Sequence, residues 1–338
     1  MAKDSKKQKI QFVEQALPYV IVFLLGCASA YGVRSYSDVP TKKYENYVIR
    51  KSSNGKLIAP LILGGDGYSL YEDSAFTGRV KKYVNQKTKD GAASSVSVYF
   101  KNLTTGSWTG VNENVHYAPA SLMKVPILLA VLKQAESNPD LLNKKIYYDG
   151  NTDMNGNEYY KPQKTILPNH SYSVDDLLKY MIAYSDNNAT VLLLSITPKI
   201  ALTEIFTDLG LPIPDDNTTG AVDYLSDKLY SRLFRVLYNS TYLNEKYSEK
   251  ALQILTTPDF DNGIVAKLPK DLKVANKFGE RTIYNPNGSV EYRELHDCGL
   301  VYLEKSPYLL CIMTKGNDFK KLETIIQDIS KIIYDNMI

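Results

Sequence analysis

Strand-type sequence occurs in two widely separated places, and this split constrains the fold more than any other feature. Ser94–Phe100 alternates Val96, Val98 and Phe100 with polar residues. The turn Asn102–Gly106 then leads into a second strand through Trp108 and Val111. Further strands are expected only near the far end, over Val274–Phe278, Asp297–Leu303 and Tyr308–Thr314. Helical spacing fills the interval, over Ser121–Glu136, Val174–Tyr184, Ser226–Leu237 and Ser248–Thr256. Ser173 with Asp176 three residues on forms a capping box for the second of these. An outer helix at Ala75–Thr88 carries Phe76, Val80 and Val84, and a last one from Asp318 carries Leu322, Ile325, Ile326, Ile329, Ile332 and Ile333. The order is helix, two strands, helical block, three strands, helix. It predicts an α+β fold whose antiparallel sheet is completed by strands from both ends. The 27 tyrosines suit strands and half-buried surface.

The first 74 residues read differently. Lys3, Lys6, Lys7 and Lys9 precede an uncharged run, Ala16–Val33. Its length of roughly 18 residues is near the minimum for a bilayer core. The basic residues 1–15 place the N-terminus in the cytoplasm and the remainder outside. An uncleaved single-pass transmembrane helix is the preferred reading. A lipoprotein signal at Cys27, or cleavage after Ala28-Ser29-Ala30 to give a secreted form, are its alternatives. Residues 34–74 read as linker or stalk, with Leu57–Leu63 docking on the domain that fills 75–338. A net charge of +3 gives no nucleic-acid footprint. Cys27, Cys298 and Cys311 have no metal-ligand spacing. The last two lie on neighbouring strands and could face each other, but two buried free thiols is the preferred reading.

The most informative stretch is Tyr117-Ala118-Pro119-Ala120-Ser121-Leu122-Met123-Lys124. Three residues apart on a helix, Ser121 and Lys124 share a face. A serine hydroxyl needs a neighbouring base to become a nucleophile. Lysine serves only if burial and nearby positive charge depress its pKa. The apolar neighbours Leu122, Met123, Val125, Ile127 and Leu128 favour burial. A helix start also offers free N–H groups to a developing oxyanion. The plainer reading is an N-cap serine.

Two later segments shift the balance. Ser185-Asp186-Asn187 follows a helix end, where Ser185 can relay a proton and Asn187 can hold a carbonyl. Lys277-Phe278-Gly279 lies on a strand, where the lysine is an electrostatic anchor and the glycine permits close backbone approach to a ligand. In this order, S-x-x-K, S-D-N and K-x-G resemble the motif set of class A β-lactamases and penicillin-binding proteins, from about residue 75 onward. The resemblance implies an α/β sandwich with a five-stranded antiparallel sheet. It implies that Ser121 is acylated, Lys124 is the base, Ser185 shuttles a proton, Asn187 orients the substrate amide and Lys277 stabilises the anionic substrate. It further implies an oxyanion hole from the backbone N–H of Ser121 and of Glu280, beside Gly279. No cofactor or metal is implied. The implied ligand is a β-lactam or a peptidoglycan peptide. A monomer is expected, held at the outer face of the cell membrane by the N-terminal segment.

Two departures qualify the resemblance. Phe278 replaces the usual hydroxyl residue, which weakens the basis for substrate-carboxylate recognition, and Arg281 or Thr282 are the candidates to compensate. The E-x-x-L-N motif of the family's Ω-loop is missing, and Asp215 and Asp216 are the nearest carboxylates. Deacylation is therefore expected to be slow. His116, His170 and His296 form no metal motif, and the Asp149–Glu158 stretch reads as a polar surface loop. A serine hydrolase of the β-lactamase type leads. A D,D-carboxypeptidase or transpeptidase is the second reading, and a non-catalytic cell-wall binding module with the same fold is the third.

Overall fold

The strands near residue 100 and near residue 300 join in one sheet. The computed structural model describes residues 48–51, 55–64, 74–156, 158–213 and 222–338. The sheet strands are β1 (Ser95–Asn102), β2 (Trp108–Val111), β3 (Val274–Tyr284), β4 (Val290–Val301) and β5 (Tyr308–Gly316). They run antiparallel in the order β2-β1-β5-β4-β3. Strand β5 is central and covered on both faces, which explains its unbroken apolar run Leu309–Met313. Alternation sends Leu310 and Ile312 into one core and Leu309, Cys311 and Met313 into the other.

The first core lies under α1 (Ser74–Lys89) and the C-terminal helix Phe319–Met337. Phe76, Val80 and Val84 meet Leu322, Ile325, Ile326, Ile329 and Ile333 there, and Ile332 is only partly buried. Asp318 starts the C-terminal helix by accepting from Lys320 N and Lys321 N. The second core holds α2 (Lys124–Ser137), α3 (Val174–Ala183), α4 (Asn187–Ile196), α5 (Lys199–Asp208), α6 (Asp227–Asn239) and α7 (Glu245–Leu255). Helix α2 is buried almost all round, so its apolar content exceeds one stripe. The sequence reading did not single out α4 and α5. Ser173 caps α3 through Asp176 N, and its hydroxyl donates to the Asp176 carboxylate, which replaces the reciprocal contact of a full box.

Two expectations are corrected. Cys298 and Cys311 are directly opposed in register and their sulfurs are bonded, so they are not free thiols. Both point into the same core from adjacent antiparallel strands, and this brings them together. Part of the expected linker is also structured. Val48–Arg50 pairs with Leu61–Gly64, while Leu57 and Ile58 enter the core, as the docking of that apolar run anticipated. Arg50 fixes the hairpin by donating to Ala59 O, Leu103 O and Asn239 Oδ1. The expected membrane helix Ala16–Val33 lies outside the described residues.

Candidate active site

Ser121 sits in a single 3₁₀ turn, Ala120–Met123, that feeds directly into α2. Ala120 has φ +48°, a left-handed conformation uncommon outside glycine. Lys124 opens α2 one turn later and is almost fully buried. Its Nζ lies 2.8 Å from Ser121 Oγ. The same Nζ reaches Ser185 O at 2.7 Å, Ser185 Oγ at 2.9 Å and Asn187 Oδ1 at 2.6 Å.

The second motif is shaped by Asp186, which is fully buried at the N-cap of α4. Its carboxylate accepts from Asn188 N, Ala189 N, Ile166 N, Thr165 Oγ1 and Asn155 Nδ2. This web holds Ser185 at φ +55° with its hydroxyl turned toward the lysines. The third motif arrives on the edge strand β3. Lys277 Nζ lies 3.0 Å from Ser185 Oγ and 3.0 Å from Phe278 O. One hydroxyl therefore stands between two amines.

Burial depresses both amines. Lys124 is pushed down to about 8, against the opposing pull of Glu158, Asp186 and Glu280. Lys277 is held well below the ordinary lysine range, by burial first and by the charge of Lys124 second. Nearby positive charge was expected to act on Lys124 as well. There burial does the lowering, and its charged neighbours are carboxylates. A neutral Lys124 amine can take the Ser121 proton across their 2.8 Å contact. The Ser185 hydroxyl can then carry a proton onward to a leaving nitrogen.

Gly279 acts differently from the expectation. A Cβ there would lie 2.8 Å from Pro119 O and 3.0 Å from Leu122 N. The missing side chain lets β3 press against the nucleophile turn itself. Phe278 faces the opposite core, stacked on Phe260 with centroids 4.0 Å apart. Its loss of a hydroxyl is a gain of packing. Arg281 stands opposite Glu294 in register, and burial pushes Glu294 up to about 7. His116 and His170 are exposed. His296 is buried behind the nucleophile turn, 3.1 Å from Ala118 O, and burial pushes it down to about 4. Asp215 and Asp216 lie outside the described residues.

The Asp149–Glu158 stretch is largely exposed, as its polar sequence anticipated, but two of its residues enter the site. Asn155 Oδ1 accepts from Asn187 N at 2.8 Å, and Glu158 Oε1 accepts from Asn187 Nδ2 at 2.6 Å. Glu158 is the site residue that the sequence reading missed. Its loop is rich in turn-forming residues, and no local signal marks it.

A family model described as the β-lactamase enzyme family matches residues 78–337. The chain belongs to that family. It is a serine hydrolase of the β-lactamase type, working through an acyl-enzyme. β-Lactamase VEB-1 of Pseudomonas aeruginosa is 23% identical over 245 residues, covering 67% of this chain and 79% of that protein. Among solved structures, a mutant of PBP-A in an acyl-enzyme complex with penicillin G superposes with a TM-score of 0.64 at 19% identity, covering 78% of this chain and 97% of that one. The TLA-3 extended-spectrum β-lactamase gives a TM-score of 0.64 at 20% identity, covering 77% and 98%. These likenesses agree with the α+β fold and its five-stranded sheet.

Proposed function

We propose that this hydrolase acylates Ser121 with β-lactams or related amides and releases the product slowly. The observation that carries the reading is the single Lys124 amine within 3 Å of Ser121 Oγ, Ser185 Oγ and Asn187 Oδ1, with Lys277 on the far side of Ser185. In the proposed order, Lys124 takes the hydroxyl proton as Ser121 Oγ attacks the carbonyl. The Ser121 and Glu280 amides receive the oxyanion, and Ser185 returns a proton to the departing nitrogen. Slow release follows from the lack of an E-x-x-L-N carboxylate to activate the deacylating water. The same lack favours a D,D-peptidase as the second reading, in which a peptidoglycan peptide is the natural acyl donor.

We place the domain outside the cytoplasm, tethered by Ala16–Val33 through a stalk. The uncharged run behind four lysines supports this, and so does the Cys298–Cys311 bond, since disulfides persist in oxidising compartments. The decisive experiment is intact mass after incubation with benzylpenicillin. Wild type is expected to gain the mass of one penicillin and keep it. Ser121→Ala is expected to gain nothing. An unmodified wild type with no turnover of penicillin or peptide would overturn the reading, and rapid multiple turnover would overturn its slow-release part.

A further inference from the structure

Glu280 contributes a side chain as well as an amide, and that side chain reaches across to the Tyr159–Tyr160 segment. Its Oε1 accepts from Tyr159 N at 2.6 Å and from Tyr160 N at 2.8 Å. The Glu158 carboxyl adjoins it. Glu158 accepts from Asn187 Nδ2, and Asn187 Oδ1 accepts from Lys124 Nζ. An unbroken line of polar contacts thus runs from β3 to the nucleophile. The amide assigned to the substrate is engaged by a carboxylate of the protein itself. Tyr160 anchors this segment by edge contacts to Phe278 and Phe260, and its hydroxyl donates to Glu323 at 2.6 Å. Tyr159 packs on Phe319 with centroids 4.6 Å apart.

We propose that Glu158 and Glu280 form a latch across the cleft, which must part before an acyl donor can reach Asn187 and Ser121. The proposal rests on the acyl-enzyme reading and adds control of entry to it. Both glutamates are positioning residues, acting through Asn187 and the Tyr159–Tyr160 amides.

The latch depends on a proton. Two adjoining carboxyls hold together while one is protonated and repel when both are ionised. Burial, with the charge of Glu158 behind it, pushes the Glu280 carboxyl up to about 7, against the pull of the Tyr159 and Tyr160 amides. Lys124 faces the pair from α2. On the outer side, Arg293 lies over the Tyr159 ring, and Lys320 is paired with the Glu323 that holds Tyr160. Below about 7, Glu280 donates to Glu158 and the cleft is shut. Above it, Glu280 carries a charge that it cannot share with its neighbouring carboxyl, and the cleft opens.

The test is acylation by a fluorescent penicillin from acid to alkaline pH, in wild type, Glu280→Ala and Glu280→Gln, all of which keep the backbone amide. One unit below its pKa only about one-tenth of the latch is open, so Glu280→Ala is expected to label about tenfold faster than wild type there. That variant should lose the ionisation near 7 and keep the one near 8 that belongs to Lys124. Glu280→Gln donates to Glu158 at every pH and is expected to stay slow in alkali. A second readout needs no acyl donor. Hydrogen exchange of peptides containing Tyr159 and Tyr160 should lose protection as wild type is raised through about 7, beyond the intrinsic pH effect, and should lack that protection throughout in Glu280→Ala. If Glu280→Ala melts early, Glu158→Ala takes its place; it is expected to label faster in acid and to lose the change in exchange near 7, while Glu280 still accepts from Tyr159 N and Tyr160 N. Either readout unmoved overturns the latch. If no form labels at any pH, the acyl-enzyme reading fails and the exchange data alone decide the latch.

Discussion

Replacing Gly279 by alanine tests whether close approach of β3 to the nucleophile turn sets the reaction geometry. The added Cβ would meet Pro119 O at 2.8 Å, Leu122 N at 3.0 Å and Leu122 Cγ at 3.1 Å. Two of these atoms are backbone and cannot swing aside. The contact is roughly 0.6 Å short of ordinary van der Waals separation, so strand and turn must part by about that much. Overpacking of this kind costs about 1–3 kcal/mol of stability. The greater effect falls on the rate. The parting separates the two amides meant for one oxyanion, and losing one such donor costs on the order of 10²-fold or more. A displacement of about half an ångström should forfeit much of that, so acylation is expected to fall about 30- to 100-fold. Intact-mass time courses under excess penicillin give the rate, and urea melts give the stability. Wild-type acylation with an unchanged melt would refute the reasoning.

Three further outcomes are expected. Lys124→Arg keeps the charge and removes the base, so acylation should drop roughly 10²- to 10⁴-fold, measured by labelling. Its pH profile should also lack the rise toward about 8 that marks loss of the Lys124 proton. Asp186→Ala leaves the donors from Asn155, Thr165, Ile166, Asn188 and Ala189 without their acceptor, at about 1–3 kcal/mol for each that stays buried and unpaired, and should lower the urea midpoint while abolishing labelling. Phe278→Thr restores the family's hydroxyl but loses the stack on Phe260, so a loss of about 2–4 kcal/mol is expected, with no gain in penicillin affinity.

The element order and the three motifs were legible because each rests on local pattern. Strand alternation, helix spacing and short motifs survive translation into structure with boundaries moved by a few residues. β3 and β4 are longer than expected, since their hairpin continues past the apolar part into polar sequence that pairing alone sustains. The convergence of Ser121, Lys124, Ser185, Asn187 and Lys277 followed from recognising the motifs together. Glu158 was not legible, because it acts through Asn187, which is distant along the chain, and its own neighbourhood resembles any turn. The Cys298–Cys311 bond was missed for a related reason. Spacing put the residues on adjacent strands, but register decides whether sulfurs meet. Phe278 looked like a lost function from sequence and is a packing residue in the fold.

Cys298 has two register partners, Cys311 on β5 and Lys277 on β3. A strand that slips by one residue turns every side chain to the opposite face. Lys277 would then leave Ser185 for the aromatic core now held by Phe278. The covalent stitch holds β4 in register with β5, and β3 takes its alignment from β4 through its own ladder. A bond with no part in the chemistry thereby steadies the strand against which a charge is aligned.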